Sequence, residues 1–169
     1  MDVLEAIHTR RSIRKFTSKP ISEEQVHAML SAAMTAPSAG NAQPWRFLVI
    51  DDRATLDQLA TIHPYVAMLK TATLAILVIA DPGFEKYPGY WPIDCSAAVQ
   101  NLLLAAHGLG LGAVWTGVYP MEERMVACRE QLGIPQDLIP HSLIPIGYPD
   151  QPSVYKNRYK EDRVRRNHW

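Results

Sequence analysis

The sequence predicts a mixed α and β protein in which about five helices flank a sheet of about four strands. Three observations point there. Segments with a helical apolar period carry recognisable caps. Between them lie short apolar runs of strand length, one of them apolar at every position. At 169 residues the chain is of one-domain size and can bury roughly 70% of its unfolded surface.

The elements follow in order. Asp2 is an N-cap for a short helix through about Thr9, with Val3, Leu4 and Ile7 on one face. Ser22-Glu23-Glu24-Gln25 is a capping box. It opens a helix to about Met34 whose apolar positions are Val26, Met29, Leu30 and Ala33, with Pro37 ending it. Trp45–Ile50 reads as a strand and Ala54–Thr61 as a helix. Leu74–Ala80 is apolar throughout, the pattern of a central strand covered on both faces. Asp81–Pro92 is an aromatic, Pro/Gly-rich loop holding Phe84, Tyr87, Tyr90 and Trp91.

From about Ile93 to His107 runs a helix apolar almost all round, which must be buried on most sides. A domain this small has trouble enclosing such a helix, so a homodimer interface is expected along it. Gly112–Val118 reads as a strand, Met121–Leu132 as a helix ended by Gly133, and Ser142–Gly147 as a further strand. Beyond Pro149 the chain turns polar and basic, without a hydrophobic period.

Composition excludes several classes. With 17 basic and 17 acidic residues the formal net charge is zero, which argues against a nucleic-acid binder. The longest apolar run is far short of the ~20 residues a membrane helix needs, and the N-terminus has no signal-peptide pattern. A cytoplasmic location is therefore expected. Cys95 and Cys128 sit in no metal or redox spacing and read as free, partly buried thiols. The six histidines are scattered, so no metal site is expected. No serine lies in a nucleophile elbow. Gly108-Leu109-Gly110-Leu111-Gly112 follows a helix and opens a strand, the reverse of a dinucleotide loop, and reads as a helix cap and turn. With no nucleophile, metal or acid–base pair in view, a cofactor would carry any chemistry.

Two segments remain. Arg10-Arg11-Ser12-Ile13-Arg14-Lys15-Phe16 surrounds a hydroxyl with cations. It is either a solvated basic patch, or a site in which Ile13 and Phe16 anchor the chain while the arginines hold a phosphate. Ala36-Pro37-Ser38-Ala39-Gly40-Asn41-Ala42-Gln43-Pro44-Trp45 is a rigid polar loop. It is either a connector or a reader of a flat ring's edge.

Taken together, and in this order, these segments resemble the FMN-dependent nitroreductase family, here a small member with a short lid. The likeness continues through D-C-S-A-A-V-Q-N-L-L-L-A-A-H-G-L-G-L-G from Asp94, Trp115-Thr116-Gly117, and Gly147-Tyr148-Pro149. It covers essentially the whole chain. It implies a single α+β domain over 1–169, a sandwich with a mostly antiparallel central sheet flanked by helices, assembled as an intertwined homodimer. Residues 150–169 would form a C-terminal arm reaching the partner.

The resemblance further implies one FMN per subunit at the dimer interface. Arg10, Arg11, Ser12 and Arg14 would surround its phosphate, ribityl chain and pyrimidine edge. Pro37, Ser38, Ala39 and Asn41, joined by Gln43, would meet the ring from the other subunit. Trp115, Thr116 and Gly117 would lie near the flavin on the opposite side. Lys156 and Arg158 would close on the phosphate, with Arg163, Arg165 and Arg166 as competitors. No side chain would be catalytic in the covalent sense.

The implied activity is ping-pong hydride transfer from NADH or NADPH, through flavin N5, to a nitroaromatic, a quinone or a related acceptor. The alternatives are a specialised flavin enzyme of the same fold (an enone or flavin reductase, dehydrogenase or dehalogenase) and a non-catalytic flavin-binding protein. Longer relatives carry extra helical structure over the substrate. Here only Asp81–Pro92 is present, so Tyr90 and Trp91 are the substrate-side candidates, with Tyr87 beside them.

Overall fold

The computed structural model describes all 169 residues. Its centre is β2 (Leu74–Ala80), every residue of which is buried. Alternation along β2 divides the core in two. Leu74, Ile76, Val78 and Ala80 face one helical layer. Ala75, Leu77 and Ile79 face the other. That is why the run is apolar at every position rather than at every second one.

The first layer holds α2 (Glu23–Met34) and α4 (Trp91–Gly108), which pack on each other and on the sheet. The second holds α3 (Arg53–Leu59) and α5 (Glu122–Leu132). A short α1 (Val3–Thr9) lies beside α4 and buries none of its own residues. The expected caps are in place. Asp2 Oδ1 accepts from Glu5 N at 2.8 Å. Ser22 and Gln25 make the reciprocal capping box.

The sheet is antiparallel at every strand pair, in the order β1 (Trp45–Ile50), β2, β5 (Ile139–Gly147) and β3 (Gly112–Ala113), with β4 (Thr116–Gly117) also against β5. Two boundaries differ from expectation. Gly112–Val118 is not one strand but two short pieces in the same register, Ala113 opposite Ile146 and Thr116 opposite Leu143. Pro145 falls in the gap and has no N–H to return, although its carbonyl still accepts from Val114 N. β5 also begins before Ser142, at Ile139, because a register shift at Val78/Ile79 admits Pro140 into the ladder.

A third boundary differs. α4 starts at Trp91, within the expected loop, and Trp91 is only 9% exposed. Its ring lies edge-on to Tyr119 with centroids 4.6 Å apart. Hydrophobic burial therefore takes Trp91 into the core, while Tyr87 and Tyr90 stay exposed. α4 itself is better enclosed by one chain than expected, since α2 and the sheet cover most of it. What stays less covered is a stripe on one face: Ile93, 63% exposed, and Gln100 are exposed, with Ala97 and Leu104 half-buried between and beyond them. The apolar Val3, Leu4 and Ile7 of α1 are exposed too.

Cys95 and Cys128 are free and buried, and burial pushes their thiols up to about 12 and about 11. No helix is long and apolar enough to cross a membrane.

Candidate functional site

Residues 10–16 lie across the edge of the sheet, held by their two apolar side chains. Ile13 and Phe16 are buried in the second core layer. They are received by two glycines that pair across the β3–β5 ladder, Gly112 and Gly147. A Cβ on Gly112 would fall 2.6 Å from Ile13 Cγ2, and one on Gly147 would fall 2.8 Å from Phe16 Cβ. The missing side chains are what let the segment approach so closely.

Its backbone is pinned from both sides. Ile13 N donates to Ala113 O at 3.0 Å, and Thr17 N to Tyr148 O at 2.9 Å. Gln151 Oε1 accepts from both Arg14 N (2.8 Å) and Lys15 N (3.1 Å).

So held, the segment spans two cavities. Arg14 lines a cleft of about 440 Å³ together with Trp115, Thr116, Gly117, His63, Tyr65 and Arg124. Arg10 and Arg11 line a smaller cavity of about 220 Å³ with Lys156 and Arg158 from the arm. Ser12 sits between the two, half-buried, bridging Ala113 through its backbone.

None of these cations has an acidic partner. The ion pairs of the molecule are Arg46–Asp81 and Arg53–Asp57, both elsewhere. Burial, then the charges of Arg11 and Arg158, hold the Arg10 guanidinium below its usual range. Unpaired, partly buried like charges are costly unless an anion joins them. Arg11 has a second task. Its Nη1 donates to His8 O (2.7 Å) and Arg10 O (2.6 Å), and its Nε to Val154 O (3.0 Å), which clamps the arm to the end of α1. Its Nη2 is buried without a partner beside the small cavity.

The 37–43 loop lines neither cavity. It is folded on itself: Gln43 N donates to Ser38 Oγ (3.0 Å) and Gln43 Nε2 to Asn41 Oδ1 (2.8 Å). Gly40, Asn41 and Gln43 have positive φ, a conformation that glycine and asparagine take at low cost. Two contacts fix it from outside. Ala39 N donates to the buried Asp94 Oδ1 at 2.9 Å, and Lys86 Nζ to Gly40 O at 2.7 Å. Tyr87 packs directly over Gly40, where a Cβ would fall 2.8 Å from its ring. The exposed aromatic loop and the 37–43 loop are therefore one unit. Pro37, Gly40, Asn41 and Gln43 point outward.

Beneath the cleft lies an aromatic cluster. Trp115, 37% exposed, is tilted on His141. His141 is stacked on Tyr119 and edge-on to Trp91. Burial lowers the His141 pKa to about 4, so its ring is neutral near pH 7.

Sequence reasoning missed His63, Tyr65 and Arg124 in the cleft, and Asp94 and Gln151 as supports. His63-Pro64-Tyr65 follows α3 as an ordinary polar turn, and Arg124 is one of several charges on α5. Only Asp94 had a signal, being an acid in the first turn of an apolar helix.

The sandwich, the glycine-cleared edge and the two cation-lined cavities place the protein in a known class. The sequence profile described as "Nitroreductase family" matches residues 7–63 and 63–148, and the chain belongs to that family. Among similar proteins, one from Methanothermobacter thermautotrophicus is 50% identical over all of this chain and 88% of its own. It bears the name of a candidate NADH dehydrogenase/NAD(P)H nitroreductase. A solved FMN-dependent nitroreductase of Clostridium difficile superposes with a TM-score of 0.91 at 31% identity, covering 99% of this chain and 100% of that one. A candidate nitroreductase of Desulfovibrio desulfuricans, solved in complex with FMN, gives 0.86 at 36% identity, covering 100% and 98%.

Proposed function

We propose that the protein is an FMN-dependent NAD(P)H oxidoreductase that works as a homodimer with one flavin per subunit. The observation that carries the reading is the set of cations at residues 10–14 and 156–158, which line two cavities with no carboxylate among their walls. A ligand with a phosphate at one end and a flat, acceptor-bearing ring at the other fits that arrangement. The names of the relatives support the same cofactor.

On this reading Arg10, Lys156 and Arg158 hold the phosphate, and Arg11 keeps the arm closed over it. Ser12 lies along the ribityl chain. Arg14 faces the pyrimidine edge, and Trp115, Thr116 and Gly117 lie beside the ring. Pro37, Ser38, Ala39, Asn41 and Gln43 serve the ring bound to a second copy of the chain, which explains why that loop lines no cavity of its own. The less covered stripe of α4 and the exposed apolar face of α1 are the surface on which that copy would pack.

When bound, FMN would supply the chemistry, hydride transfer from NADH or NADPH to a second substrate such as a nitroaromatic or quinone. The chain binds, orients and shields the ring, and none of its side chains forms a covalent bond. Tyr87 and Tyr90, exposed beside the 37–43 loop, would meet the acceptor. Trp91 is buried and would act only by supporting Tyr119 and His141.

The test is spectroscopic. The purified protein should carry, or take up on mixing, one FMN per chain with a yellow flavin spectrum, and NAD(P)H should bleach it without oxygen. Arg10→Ala should weaken FMN binding by about 1.5–3 kcal/mol, the range for hydrogen bonds to charged groups. A colourless protein that takes up no flavin would sink the proposal.

A further inference from the structure

Two adjacent side chains in the wall of the larger cleft hold buried donors that nothing in the protein accepts. His63 is 8% exposed. Its Nδ1 accepts from Tyr65 N at 3.2 Å, which leaves the ring proton on Nε2, and Nε2 has no partner. Arg124 stands in the first turn of α5. One of its terminal nitrogens donates to Gly117 O at 2.9 Å, yet its Nε is buried and unpaired. Tyr65 lies over both, with the Arg124 guanidinium 5.6 Å from its ring centre and the His63 ring centre 6.2 Å away. Tyr65 itself is 67% exposed.

Leaving a buried N–H unsatisfied is costly, and such groups are rare enough in folded proteins that two neighbours need a reason. The corner is rich in donors. His63, Arg124 and the exposed Arg14 line one cleft, and the unpaired His63 Nε2–H and Arg124 Nε–H are buried in its wall. Burial and the Arg124 charge outweigh the opposing effect of Glu123 and keep His63 neutral, hence a one-proton donor. A ligand for this corner must bring acceptors and tolerates negative charge well.

We propose that His63 and Arg124 act with Arg14 as the donor set for the N1–C2=O edge of the flavin pyrimidine ring, and that they bind the reduced ring more tightly than the oxidised one. This rests on the FMN reading above. Hydride uptake brings two electrons and one proton to the ring, so one net negative charge remains, concentrated at that edge. Donors fixed in advance in a half-buried site stabilise such a developing charge without reorganisation. His63 is then a residue that sets the flavin potential. It lies outside the two motifs that mark the cofactor segments.

The experiment compares the parent with two variants, using the FMN-loaded protein. His63→Asn keeps an acceptor for Tyr65 N but has no donor at the depth of Nε2. His63→Gln carries an amide N–H to about that depth. The readouts are the affinity for oxidised FMN and the midpoint potential of the bound flavin. H63N is expected to lower the ratio of reduced to oxidised affinity about tenfold, a shift of about 30 mV to more negative potential for a two-electron couple. H63Q is expected to recover most of it. An unchanged potential in H63N, or an equal shift in H63Q, overturns the proposal.

If H63N does not fold, Arg124→Lys carries the same test. It keeps the charge and loses the Nε donor, so the same direction of shift supports the proposal and an unchanged potential overturns it. A parent protein that binds no FMN overturns the cofactor reading itself, an outcome distinct from a flavin-loaded H63N of parental potential.

Discussion

Residues 10–16 and residues 37–43 are polar segments of equal length, and they are fixed in opposite ways. The first is held from outside. Ile13 and Phe16 are sunk in the core, and its backbone is tied to β3, to Tyr148 and to Gln151. Its arginines then line the cavities beside them. The second is held from within, by its own hydrogen bonds and left-handed residues, with a latch to Asp94. It presents a finished polar edge to the outside. A segment anchored in the core builds a wall, and a segment anchored on itself builds a surface. The difference supports a site completed by two chains.

The largest expected effect tests the outside anchoring. Phe16→Ala should cost about 3–5 kcal/mol of global stability, the usual range for emptying a buried Phe site, measured by denaturant unfolding. A loss under about 1 kcal/mol, as for a surface site, would mean the segment is not held by its side chains at all.

The next concerns the group that joins the two regions. His141 touches Trp115 in the cleft and Trp91 on α4, the helix that latches the 37–43 loop. Its folded pKa of about 4 lies below the unfolded value of about 6.5. Above about pH 6.5 the ring is neutral in both states and costs nothing. Below it the unfolded chain takes up the proton first, so stability falls as pH drops from about 6.5 to about 4, by roughly 3 kcal/mol in all. His141→Phe should flatten that part of the stability–pH curve. An equally steep curve in the variant would place the dependence elsewhere.

The smallest tests anchoring from within. Gly40→Ala puts a side chain at φ +60° and against Tyr87. It should cost about 1–2 kcal/mol, the penalty for a left-handed L-residue. On the two-chain reading it should weaken FMN binding while leaving the unfolding cooperative. A variant as stable as the parent, with unaltered flavin affinity, would erase the contrast between the two segments.

Much of the fold is legible in the chain itself. β1, β2 and α2 stand where their periods and caps put them, because a capping box or an all-apolar run records its own environment locally. The anchoring of Ile13 and Phe16 is legible for the same reason. Boundaries fail where a residue's role depends on a distant partner. Trp91 joins α4 because Tyr119 and His141 are there to cover it. The strand at 112–117 breaks because Pro145 stands opposite it.

The sequence by itself determined the family and the α+β layering, and it singled out the two segments proposed to hold the cofactor, since these are written in contiguous motifs. Only the tertiary structure decided that Arg10 and Arg14 line separate cavities, that Arg11 clamps the arm, and that the 37–43 loop faces away from both. It alone brought His63 to the distant Arg124 and left both with an unmet donor. The reason is physical. Caps and periods act over a few residues, whereas burial and unsatisfied hydrogen bonds exist only once distant parts of the chain have been packed together.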